Sequence, residues 1–208
     1  SVEAEAFGSD VKFFDDEVVN ADALVFASGT HASTRDDKSY IVFNELKRHG
    51  YILNELKPAL CPIKVKENVK KLAGCRIKGI IKANNKEEKG EILFKNDGLS
   101  GISIFNISLA FARQKVNSND ISIFTLDKNE LNDLQYISIN NSDPLLSVYP
   151  LEVANYVYDL ASSRNIKSLK QIIANGLKFT YKGNYDANNA HICVGGVSLD
   201  NLNHNTLE

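Results

Sequence analysis

The sequence predicts an α+β fold: an antiparallel β-barrel plus a small helical subdomain, flanked at both ends by further strands. One basis is a β-branched run at 76–82 that turns at Asn84-Asn85 and returns through Glu91-Ile92-Leu93-Phe94, a hairpin pattern. A second is helical spacing beyond residue 142, where Leu151, Ala154, Val157, Tyr158 and Ala161 fall on one face. The third is strand texture at 2–27 and again at 177–194, which implies that the barrel and helices are inserted into another domain.

Taken in order, residues 2–7, 11–14, 18–19 and 23–26 read as short strands. Ala23-Leu24-Val25-Phe26 is a continuous apolar run, as in a strand buried on both faces, and it runs into a small-residue turn ending at Gly29. Residues 36–50 follow as a helix, with Tyr40, Phe43 and Leu46 at helical spacing, Lys47, Arg48 and His49 in the last turn, and Gly50 placed to end it. From 51 to about 125 the texture is β, with Lys86–Lys89 read as a solvated turn. Within this stretch 103–112 fits either period, and helix is preferred; 121–126 returns to strand. Pro150 marks a helix start. Ser168 with Gln171 has the form of a capping box, Leu169, Ile172 and Ile173 supply a buried face, and Gly176 closes the helix. Strands resume at 177–181 and 190–194.

Composition narrows the functional classes. Hydrophobic residues make up 43% and charged residues 24%, which fits a folded globular chain rather than a disordered one. With 24 Lys+Arg against 26 Asp+Glu there is no overall field to attract nucleic acid. Cys61, Cys75 and Cys193 are few, odd in number and far apart, which predicts free thiols and a reducing cytoplasm. No CxxC or Cys/His cluster is spaced for a metal, and no apolar run approaches the ~20 residues of a membrane helix. The chain has no Met and starts Ser1-Val2, as expected of a segment taken from a longer polypeptide.

Four stretches carry a resemblance: Ala21-Asp22-Ala23-Leu24-Val25-Phe26-Ala27-Ser28-Gly29; Leu56-Lys57-Pro58-Ala59-Leu60-Cys61-Pro62-Ile63; residues 90–101, Gly-Glu-Ile-Leu-Phe-Lys-Asn-Asp-Gly-Leu-Ser-Gly; and Ala190-His191-Ile192-Cys193-Val194-Gly195-Gly196-Val197. In order and spacing the set resembles the aminoacetone-oxidase-like family of bacterial FAD-binding flavoproteins, the group that includes bile-acid reductases. The resemblance implies an incomplete Rossmann-like FAD domain interrupted by an insert. Residues 1–50 would be its trailing part, 51–125 the barrel of the insert, 126–176 the helical part, and 177–208 the return strands. No GxGxxG occurs to seat a pyrophosphate on a helix N-terminus, so FAD binding and activity are expected only with the remainder of the FAD domain.

Candidate site residues follow from the same resemblance. Ala27, Ser28 and Gly29 resemble a strand-end turn where backbone approaches FAD, although Thr30 and His31 depart from the family's Gly-rich continuation. Gly195, Gly196 and Val197 resemble the re-entry segment beside the flavin ring; paired glycines equally suit a bulge or hairpin. Gly98, Leu99, Ser100 and Gly101 read as a loop that either faces substrate or turns into a helix capped by Ser100. His191 and Cys193 alternate on one strand and would share a face, more often a packing arrangement than a nucleophilic pair. The implied activity is hydride transfer between NAD(P)H, FAD and a small organic substrate, with this segment as lid and substrate wall. The competing reading is a non-catalytic barrel that binds protein or RNA, and near-neutral charge weighs against RNA.

Overall fold

The structure, a computed structural model, describes residues 4–7, 10–13, 18–20, 29–33, 39–133, 143–164, 166 and 168–201. β1 (Ala4–Phe7), β2 (Asp10–Phe13) and β3 (Val18–Asn20) form a three-stranded antiparallel sheet. The expected strand Ala23–Phe26 lies outside the described residues. α1 (Ser39–Arg48) ends at Gly50 as the basic last turn predicts, and β4 (Leu53–Ala59) leads toward the barrel.

Six strands close the barrel: β5 (Ile63–Val65), β6 (Arg76–Ala83), β7 (Lys86–Phe94), β8 (Gly98–Ser100), β9 (Asp120–Phe124) and β10 (Leu177–Asn184). Their order around the ring is β10-β5-β8-β7-β6-β9. Alternation sets the register. On β6, Ile77, Ile81 and Ala83 point inward while Arg76, Lys78 and Lys82 face solvent. A slip of one residue would exchange the two sets, so each buried isoleucine holds the pairing as well as the core. Ile63, Ile81, Ile92, Leu99, Ile121 and Ile123 are completely buried, and each contributes about 1.5–3 kcal/mol by leaving water. The barrel is thus filled by its own side chains.

The predicted hairpin forms, with Ala83 opposite Lys86 across Asn84-Asn85. The charged run at 86–89 is not a solvated turn, however. It is the start of β7, where Lys82 pairs with Glu87 across the ladder at 2.8 Å and Asn106 donates to Glu88 at 3.0 Å.

The preferred helix at 103–112 is α2 (Ile102–Ala112), followed after β9 by α3 (Lys128–Asp133). α3 has a sequence signal that composition hides: the Asp127 carboxylate accepts the Asn129 and Glu130 N–H groups while Glu130 accepts that of Asp127, a capping box. α4 (Leu151–Ser163) and α5 (Leu169–Ala174) then dock on the barrel. Val153, Ala154, Val157, Ala161, Leu169 and Ile173 share one hydrophobic core with the barrel strands. Two details depart from expectation. Leu151 is 54% exposed, because it sits in the first turn beyond the packed face, and Ser168 occupies the N-cap without a side-chain bond, so its capping box does not form.

β11 (Ile192–Val197) pairs antiparallel with β4 to make a two-stranded ribbon, so β4 belongs with the last strand rather than with the barrel. Among the described residues β11 shares no sheet with β1–β3; what meets it from the N-terminal side is the loop 29–33. No helix among the described residues is long and apolar enough to cross a membrane.

Candidate functional site

Of the features that the sequence singles out, the loop 29–33 and the start of β11 come together beside α2. Loop 29–33 is pinned there by Ser33, whose N–H donates to the Ala187 carbonyl at 3.0 Å and whose hydroxyl donates to that of Ala190 at 2.6 Å. This places His31 Nε2 3.8 Å from Cys193 Sγ. The imidazole that reaches Cys193 is therefore His31. His191 instead packs its ring on Phe105 of α2, with centroids 5.5 Å apart, and donates its N–H to Leu60.

Gly29 has φ +71° with nothing within 4 Å of a built Cβ, so here the turn itself asks for glycine; Ala27 and Ser28 lie outside the described residues. Gly195 and Gly196 form a bulge where the pairing with β4 shifts register, at φ +116° and +109°. A Cβ on Gly195 would stand 2.2 Å from the Glu55 carbonyl oxygen, so this contact excludes any other residue, while the space over Gly196 is open. Val197 continues the pairing opposite Leu53 and is 42% exposed.

The Gly98-Leu99-Ser100-Gly101 segment is not a loop. Gly98, Leu99 and Ser100 are buried strand β8, held between β5 and β7, and Gly101 is the N-cap of α2, which Ser100 does not cap. Packing accounts for both glycines: a Cβ at Gly98 would lie 2.0 Å from the Ile63 carbonyl and one at Gly101 2.3 Å from that of Glu91. The short Asp97-Gly98 turn and two glycines look like a loop in sequence because so brief a barrel strand has no alternation to read.

A half-buried polar network that sequence reasoning missed fastens the ribbon to the barrel. Asn184 of β10 donates to the carbonyls of Pro58 on β4 at 2.6 Å and Ser108 on α2 at 3.2 Å, and accepts the Tyr181 hydroxyl at 3.0 Å. The Ser108 hydroxyl donates to Phe105 at 2.7 Å and accepts the Cys61 N–H at 3.1 Å. Tyr181 stacks flat on Phe111, with centroids 3.7 Å apart. Burial, helped by the nearby Cys61 thiol, pushes the Tyr181 phenol up to about 12, and burial likewise pushes the Cys61 thiol up. Nothing in a single Asn or Ser in a strand or helix announces such a role, since only the fold brings these elements together.

Beyond the network, an open groove of about 550 Å³ runs between the ribbon and the chain leaving α2. Lys57, Val194 and Gly195 line one side and Arg113, Gln114 and Lys115 the other. Its size is that of a small-molecule site. Among the described residues no group of three or more His, Cys, Asp or Glu is placed to hold a metal ion.

Residues 57–135 match the family model of the HI0933-like protein barrel and H2TH domain, a domain of FAD-dependent, HI0933-like flavoproteins. The match runs from within β4 past α3 and takes in five of the six barrel strands, all but β10. No curated protein matches the chain.

Proposed function

We propose that this chain is the insert-bearing part of an FAD-dependent oxidoreductase of the aminoacetone-oxidase-like group, and that its barrel and ribbon wall and cover the substrate site. The observation that carries the reading is the family match over the barrel, 57–135, joined to the placement of loop 29–33 against β11. The loop that follows the first of the two turns resembling cofactor contacts lies against the strand that leads into the second, with His31 beside Cys193.

Two glycines here leave room for a flat cofactor. Gly29 and Gly196 both leave open space where a side chain would project, and His31 and Cys193 stand beside them. Ala27, Ser28, Gly29, Gly195, Gly196 and Val197 are the residues we assign to FAD. Bound flavin would supply the redox chemistry, passing hydride between NAD(P)H and a small organic substrate. The chain's own part is to orient and to exclude water. β8 and Gly101 serve that role indirectly, by fixing the start of α2, whose far end borders the groove.

The test is to produce the complete polypeptide that carries this sequence and compare it with the 208-residue chain. The complete protein is expected to purify with a flavin spectrum and to oxidise NAD(P)H, and Gly196→Val is expected to lower its flavin content. A colourless complete protein that does not take up added FAD would overturn the reading in favour of a binding module.

A further inference from the structure

We infer that the groove between the ribbon and the end of α2 binds a small oxyanion-bearing molecule, a carboxylate or a phosphate, with Arg113, Gln114 and Lys115 as its contacts. This goes beyond the proposed oxidoreductase activity; it shares Gly195 with the proposed flavin contacts but is argued from Lys57, Arg113, Gln114 and Lys115.

Charge is the first ground. Three cations, Lys57, Arg113 and Lys115, line the groove against a single carboxylate, Glu55, which lies 3.8 Å from Lys57. Arg113 and Lys115 make no ion pair with any described residue. A concave surface with an excess of cations concentrates field and favours an anion of matching size.

Backbone conformation is the second and independent ground. α2 ends in a Schellman turn: the Gln114 N–H donates to the Phe111 carbonyl and the Lys115 N–H to that of Ala110, both at 2.9 Å. The residue in the left-handed position of such a turn is normally glycine, and α1 and α5 obey this with Gly50 at φ +83° and Gly176 at φ +75°. α2 has Gln114 there, at φ +54°. Glycine would relieve this position of strain, and Gln114 instead sets an amide side chain at the rim of the groove. Its amide N–H groups can donate to an oxyanion. Across the groove, Gly195 cannot be replaced without displacing β4, so the ribbon side stays clear of a side chain at that point.

The experiment is a chemical-shift titration of the 208-residue chain with inorganic phosphate and, separately, with succinate. Saturable movement of the Gln114, Lys115, Val194 and Gly195 amides is expected with at least one probe, and the tighter of the two identifies the class. Arg113→Gln with Lys115→Gln should weaken binding about tenfold or more. Gln114→Gly should weaken binding while raising the melting temperature, a combination that a merely structural Gln114 would not give. Shifts that stay linear and spread over lysines elsewhere, or an affinity untouched by these substitutions, would overturn the proposal.

Discussion

The barrel and the β4/β11 ribbon are both antiparallel, yet they are held by different means. Each barrel strand has a neighbour on both sides, and the interior is closed by its own isoleucines and phenylalanines. Among the described residues the ribbon has two strands, no further strand on either edge, and an exposed apolar end made of Tyr51, Ile52, Val197 and Leu199, between 42% and 72% exposed. A lone two-stranded ribbon is marginal in water. It persists here because Asn184 and Ser108 tie it to the barrel and loop 29–33 is pinned to its start. Stability is therefore concentrated in the barrel, and the groove and candidate cofactor contacts sit on the part that depends on borrowed bonds.

The comparison can be broken most severely from the barrel side. Phe94, 1% exposed and packed at 6.1 Å on Phe179, should lose about 3–5 kcal/mol of global stability when replaced by Ala, read as a shift in the urea midpoint. Asn184→Ala should cost less, about 1–3 kcal/mol, by removing the amide that bridges the Pro58 and Ser108 carbonyls and accepts the Tyr181 hydroxyl. Its signature is regional: amide exchange should speed up across β4 and β11 before it does in β6 and β7.

Alkaline titration sharpens the same contrast. The Tyr181 phenol is raised in the folded chain from its ordinary value of 10.0 to about 12, so the neutral form is favoured by folding. The stability this provides is complete below pH 10 and is lost as pH rises from 10 to about 12. Tyr181→Phe should make that part of the stability profile less steep, with the raised Tyr149, Tyr156 and Tyr185 phenols supplying the remaining slope; an unchanged profile would show that Tyr181 does not contribute. The smallest expected effect is Ser168→Ala, within about 0.5 kcal/mol, because its hydroxyl makes no cap bond, against the roughly 1 kcal/mol that an engaged cap would cost.

Much of the architecture is legible from residues alone where periodicity is long enough to read. The hairpin β6–β7, α4, and Gly50 and Gly176 at helix ends each follow from local pattern and turn chemistry, whereas α2, whose apolar positions fit either period, is settled by the fold. Reading fails where a segment is too short, or too uniformly buried or charged, to show alternation. β8 has three residues and two neighbouring glycines, so it passes for a loop, and the charged start of β7 passes for a turn because its partners are cations and amides supplied by β6 and α2. α3 lay within reach of the capping signal at Asp127 and Glu130.

By itself the sequence determined that the chain is α+β, where its hairpin and longer helices lie, and which glycines and small-residue turns are unusual enough to notice. Only the tertiary structure decided that β4 leaves the barrel to pair with β11, that His31 rather than His191 faces Cys193, and that Lys57, Arg113 and Lys115 line one groove. The physical reason is range. Propensity, period and turn chemistry act over a few residues, whereas these contacts join residues some 50 to 160 positions apart, and a pairing at that distance is fixed by how whole elements pack rather than by any local pattern.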